Sequence, residues 1–172
     1  MAKVDANGIK IEYETFGEPD SPALLLIIGL AGQLIAWDEK LCQQLAQQGH
    51  YVVRFDNRDA GLSSKIEEAG VPDIMQTIEA LMKGETINLP YTIEDMAADA
   101  IGLLDALGID KAHICGMSMG GMIAQTIALN YPTRILSLIS IYSRTGDPEE
   151  PQPKPEAINF LLTPAPEERE AY

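Results

Sequence analysis

The stretch that most constrains this chain is "PALLLIIG", residues 22–29, an uninterrupted apolar run of strand length closed by a glycine. A strand with no polar alternation has to be buried on both faces, so it belongs to a sheet with cover on each side. "YVVRFD" (51–56), "KAHICG" (111–116) and "RILSLISIY" (134–142) read as further strands. The segments between them read as helices. "AWDEKLCQQLAQQG" carries Trp37, Leu41, Leu45 and Ala46 at helical spacing and stops at Gly49. "TIEDMAADAIGLLDALG" opens on Thr92 with Asp95 three residues on, lines up Met96, Ile101, Leu104 and Leu107, and ends at Gly108. "MGGMIAQTIALNYP" is the third. Ahead of all these, "AKVDANGIKIEYETFG" reads as a hairpin with Asn7-Gly8 in its turn. Strand and helix alternate from there on. The fold class is therefore α/β: a mostly parallel twisted sheet, helices on both faces, joined by right-handed crossovers.

A chain of 172 residues suits one such unit. Residues 1–147 are assigned to it, with a short helix expected at Asp73–Met82. Residues 148–172 are rich in proline and glutamate and read as the start of a cap or linker, with a helical turn near Glu156–Leu162. The net charge of -14 repels phosphate backbones and anionic membranes, which argues against both as partners. The N-terminus has no apolar signal core, so a cytoplasmic protein is expected. Cys42 and Cys115 are expected to be buried thiols, because two scattered cysteines make no disulfide framework. With only two histidines, and no ligand spacing, neither a metal nor another cofactor is expected.

Chemistry is concentrated in "HICGMSMGGMIAQ" (113–125), where Ser118 sits between Gly116 and Gly120 with Gly121 following. A serine can be thrust out of a strand-to-helix junction only by a tight turn, and the residues two before and two after it must then be tiny. Such a turn also aims the first amides of the helix at the serine, so the Met119 N–H is placed to hold a developing oxyanion. A second amide, that of Leu30, comes from "GLAGQ" (29–33) after the "ALLLIIG" strand. The competing account of Ser118 is a small-residue turn whose hydroxyl caps the helix.

With these motifs in hand, the chain resembles the α/β-hydrolase fold superfamily. It is most similar to the small esterases and peptidases around aclacinomycin methylesterase, proline iminopeptidase and the non-haem haloperoxidases and perhydrolases. "FDNRDAGLSS" (55–64), "MAADAIGLLDALGIDKAHICGMSMGG" (96–121) and "YPTRI" (131–135) carry the resemblance, which runs to about Tyr142. One departure is Ile28-Gly29 where the family commonly has His-Gly. The resemblance implies that Asp56 and Arg58 organise the loop near the oxyanion site; the residues alone fit a surface ion pair as well.

Acyl transfer by serine needs an imidazole base and a carboxylate to orient it. The resemblance implies the chain order serine, acid, histidine. Both histidines here precede Ser118. His113, five residues upstream on a strand, is roughly 16 Å away. His50 is read at the start of the neighbouring parallel strand, at the same far end. Asp147 follows the sixth strand, a position some superfamily members use for the acid, but its proline-rich surroundings favour a linker role. We therefore expect the chain to be the N-terminal portion of a larger hydrolase, its first six strands without the C-terminal ones. The missing half, or a second molecule, would cover the apolar sixth strand.

The first reading of function is a serine hydrolase acting on a carboxylic ester of a small or medium apolar molecule. Ser118 is the nucleophile, Leu30 and Met119 hold the oxyanion, and Gly29, Trp37, Met117 and Met122 are candidate substrate walls. Alone, the chain is expected to be inactive. A proline iminopeptidase-like aminopeptidase is the enzymatic alternative, and a binding or assembly module the non-catalytic one. A phosphate-binding loop is disfavoured because "GMSMGG" lacks the lysine of such loops.

Overall fold

The computed structural model describes residues 1–70 and 89–147, with positions 83, 154, 156, 157 and 163. Six strands, β1 (Ala2–Ala6), β2 (Ile9–Phe16), β3 (Ala23–Ile27), β4 (Tyr51–Phe55), β5 (Ala112–Met117) and β6 (Ile135–Ile141), form one sheet. Its order is β1-β2-β4-β3-β5-β6. The hairpin β1–β2 turns on Asn7 and Gly8, both at positive φ (47° and 80°), the backbone that a two-residue hairpin loop needs. β2 runs antiparallel to β4, and from β4 across to β6 every pairing is parallel. The sheet is mostly parallel, as the alternation implied.

β3 occupies the middle, paired with β4 and β5, and all five of its residues are buried. That is why its sequence has no polar alternation. Odd positions Leu25 and Ile27 join Val53, Phe55 and Ile114 against helices α2 (Ile93–Ala106) and α3 (Met119–Asn130). Even positions Leu24 and Leu26 join Val52, Cys115 and Trp37 on the other face, under α1 (Glu39–Gln47). Both faces are thus closed by helices. α2 starts with a complete capping box: the Thr92 hydroxyl accepts from the Asp95 N–H, and the Asp95 carboxylate accepts from the Thr92 N–H. Its stop at Gly108 comes with φ 70°.

Two readings need correction here. Trp37 precedes α1, which starts at Glu39 behind an Asp38 cap, and Leu41 points outward while Cys42 is fully buried. Periodicity gave the helix but not its phase, because docking on the sheet, not hydrophobicity alone, chose the buried face. Also, β3 lies between β4 and β5, so His50 stands two strands from His113 and not one. The expected helix at Asp73–Met82 lies outside the described residues, as does most of the turn near Glu156–Leu162.

Among the described residues β6 pairs only with β5, so it forms an edge. Leu136, Leu138 and Ile139 are each 40% or more exposed, on both faces of that edge. β1, at the opposite edge, shows solvent Lys3 and Asp5 instead. One edge is dressed to end a sheet; the other is not.

Candidate active site

Ser118 joins β5 to α3 with φ 56° and ψ -123°, a left-handed backbone that costs a residue with a side chain roughly 1–3 kcal/mol. Its side chain makes no capping hydrogen bond and the residue is exposed. The helix-cap account of the serine is thereby set aside. Its backbone is fixed all the same: the N–H donates to the Ile141 carbonyl (3.0 Å), and the Ser118 carbonyl accepts from Gly121 (2.8 Å) and Met122 (3.3 Å). Only the hydroxyl is left over.

The glycines around it are there because the turn is crowded. A Cβ on Gly116 would run into the Gly120 carbonyl, and one on Gly120 into the Ile27 carbonyl. On Gly121 it would lie 2.5 Å from the Ser143 side chain. Gly29, just past β3, comes so close that a Cβ there would stand 3.0 Å from the Ser118 Cβ. The loop carrying Leu30 therefore passes directly beside the serine. Neither the Leu30 nor the Met119 backbone N–H has a partner among the described residues. Met119 is the first residue of α3, where the helix dipole is positive.

Two loops are locked together to hold this arrangement. Asp56, buried after β4, accepts from Leu34 N–H through one carboxylate oxygen and from Leu62 N–H through the other, both at 2.7 Å. Asn57 donates to the Ile28 carbonyl at 3.0 Å, clamping the chain one residue before Gly29. Ser63 donates to the Asp56 carbonyl (2.6 Å) and accepts from Glu12 N–H (2.9 Å). Asp56 and Arg58 do not pair with each other, so the surface ion pair is wrong. Arg58 instead makes a two-point pair with Asp99 of α2, at 2.6 and 2.7 Å, and its guanidinium lies 5.2 Å from the Tyr91 ring centre. Asp99 also accepts from Asn7 in the hairpin turn, at 2.8 Å. Sequence reasoning missed Asn57, Ser63 and Asp99. For Asp99 the sequence gives a hint, an acid among apolar residues on the inner face of an amphipathic helix.

Two cavities flank the serine. Gly29, Leu30, Arg58, Tyr91, Met96 and Met119 are among the residues lining one of about 450 Å³. Ser118, Met122, Tyr142, Ser143 and Arg144 line the other, of about 230 Å³. Of the candidate substrate walls, Gly29 and Met122 are thus placed beside the site. Trp37 is not: it is buried under α1, its carbonyl accepting from Arg54, and it lines neither cavity. Met117 packs toward that same core. Asp147 lines neither cavity.

The histidines stand at the far end of the strands. Their rings meet edge to face with centres 5.8 Å apart, and His113 Nδ1 is 2.8 Å from the Ser137 hydroxyl. Cys42 and Cys115 are free thiols, and burial pushes both above the ordinary thiol range, so neither competes with Ser118 as a nucleophile. No group of three or more His, Cys, Asp or Glu side chains able to hold a metal ion occurs among the described residues. Nor is any described helix long and apolar enough to cross a membrane.

Known proteins resemble this chain in sequence and in fold. A sequence profile of the alpha/beta hydrolase fold matches residues 22–165. A rhodomycin D methylesterase of Streptomyces sp. strain C5 is 35% identical over 125 residues, 73% of this chain and 36% of that protein. A 3-oxoadipate enol-lactonase of Acinetobacter baylyi is 31% identical over 134 residues, 78% of this chain and 42% of that protein. Among solved structures, the enol-lactonase from Burkholderia xenovorans LB400 superposes with a TM-score of 0.60 at 29% identity, over 78% of this chain and 44% of that one. The match thus spans only 36–44% of the length of these relatives.

Proposed function

The chain belongs to the alpha/beta hydrolase fold family, and from that premise we propose that it is the nucleophile-bearing part of a serine hydrolase that cleaves carboxylic esters. The observation that carries this is Ser118: exposed, held at φ 56°, its hydroxyl taking no part in capping α3. Ser118 Oγ attacks the ester carbon and gives its proton to an imidazole. The carbonyl oxygen becomes an oxyanion held by the Leu30 and Met119 N–H groups. Collapse expels the alcohol, protonated by the same imidazole, and leaves an acyl-serine that water hydrolyses.

The imidazole is not His50 or His113, which sit at the other end of the strands. In this proposal the base and its carboxylate come from a further stretch of polypeptide that packs against β6. Three observations support that: the exposed Leu136, Leu138 and Ile139, the bond from Ser118 N–H to the last residue of β6, and the greater length of the relatives. The remote histidines also favour a second reading, a binding module that keeps the fold without the chemistry.

Chemical rescue separates the two. The 172-residue chain is treated with a fluorophosphonate, with and without free imidazole, and the adduct is located by mass spectrometry. The proposal expects imidazole-dependent modification at Ser118, lost in Ser118→Ala. A folded chain that shows no imidazole-dependent adduct at Ser118 supports the binding module.

A further inference from the structure

We infer that Asp99, by cancelling the charge of Arg58, makes the larger cavity beside Ser118 a place for neutral apolar groups and a poor one for carboxylates. This rests on the ester-hydrolase reading for its meaning to a substrate, though not for its physics. At about 450 Å³ the cavity is in the size range of small-molecule sites. Leu30, Leu89, Ile93, Met96 and Met119 give it an apolar lining, and the one cation among its described lining residues is Arg58. Left alone, a guanidinium in such a place would be the natural seat of a carboxylate, which it can grip at two points.

That seat is already taken. Arg58 Nε and Nη2 meet the two oxygens of Asp99 at 2.6 and 2.7 Å, with side chains 9% and 2% exposed. The Tyr91 ring covers the guanidinium, and hydrogen bonding to Asp99 raises the Arg58 pKa further. Asn7 donates to Asp99 as well, which holds the carboxylate in place from its far side. The other polar groups among its described lining residues are also committed within the protein. Asn57 donates to Ile28, and the Thr92 hydroxyl is in the capping box. Asp59 accepts from Ile66 N–H at 2.7 Å, and burial together with the Asp59 carboxylate raises the Tyr91 pKa. Asp59 is exposed, and its negative charge adds to the rejection of anions. No paired-up wall group offers an anion a partner. The Leu30 and Met119 amides remain, and they suit a neutral carbonyl as it turns into an oxyanion.

The test is methionine-methyl NMR of the chain titrated with methyl hexanoate and, separately, with hexanoate. Met96 and Met119 report on this cavity and Met122 on the smaller one. The ester is expected to shift Met96 and Met119, with hexanoate weaker by about tenfold or more. Asp99→Asn uncovers the Arg58 charge and should strengthen hexanoate by about tenfold while changing the ester by less than about twofold. Should that variant fail to fold, Asp59→Asn, at an exposed carboxylate, should still strengthen hexanoate by about twofold to threefold. Hexanoate binding as tightly as the ester through Met96 and Met119 would overturn the inference. So would an ester that shifts neither methyl, or a folded Asp99→Asn with no gain for hexanoate. The titration is repeated in Ser118→Ala, where binding should persist. Loss of rescue labelling with intact ester binding therefore fails the hydrolase reading alone, and the reverse result fails only this one.

Discussion

At the carboxyl ends of the four parallel strands the chain places residues with side chains in the left-handed region: Ala31 after β3, Asp59 after β4, Ser118 after β5 and Tyr142 after β6. At the amino ends of β4 and β5 the positive angles belong to Gly49 and Gly108, which merely stop the preceding helices. Glycine reaches that region without strain; the other residues do not. The carboxyl end also holds Asp56, Asn57 and the Arg58–Asp99 pair, while the amino end has two histidines in simple ring contact. Strain and buried charge gather where backbone amides and a lone hydroxyl face a cavity. Where the chain only has to stop a helix, at Gly49 and Gly108, it uses the least costly residue.

Four substitutions probe that contrast. Gly120→Ala should be the most severe, because its Cβ lands on the Ile27 carbonyl and neither β3 nor α3 can retreat. A loss of more than about 4 kcal/mol in urea denaturation, or failure to fold, is expected. Asp99→Ala leaves Arg58 charged and largely buried without its partner, and should cost about 3 kcal/mol in the same measurement. Ser118→Gly reverses the sign: relief of the φ 56° strain should raise stability by about 1 kcal/mol, against the ordinary cost of a glycine. If instead it destabilises, the turn is not strained and the contrast between the two ends weakens. His113→Ala, at the amino end, removes the contact to Ser137 and the ring contact to His50 and should cost no more than about 1 kcal/mol, with the fluorophosphonate rescue at Ser118 unaltered.

Much of this was legible in the sequence because its causes are local. The Asn7-Gly8 turn, the Thr92–Asp95 box and the small residues around Ser118 act within a few positions of one another. The strand-helix alternation likewise announced a parallel sheet. What stayed hidden depends on distant partners. Arg58 and Asp99 are 41 residues apart, and nothing in "FDNRDAG" says that the arginine turns toward a helix rather than toward Asp56. In the sequence Trp37 reads as part of the helical face and as a candidate substrate wall. It is core because Arg54 and the α1 face enclose it.

By itself, then, the sequence determined the class of fold, the strained serine turn and the histidine-free stretch that follows it, since backbone preference and apolar periodicity are written residue by residue. Only the tertiary structure decided that β3 is central, that Asp56 ties two loops by accepting their amides, and that the charge of Arg58 is cancelled by Asp99. Those outcomes belong to the packing of segments far apart in the chain, where desolvation leaves each buried charge or polar group to find whichever partner the fold brings within reach.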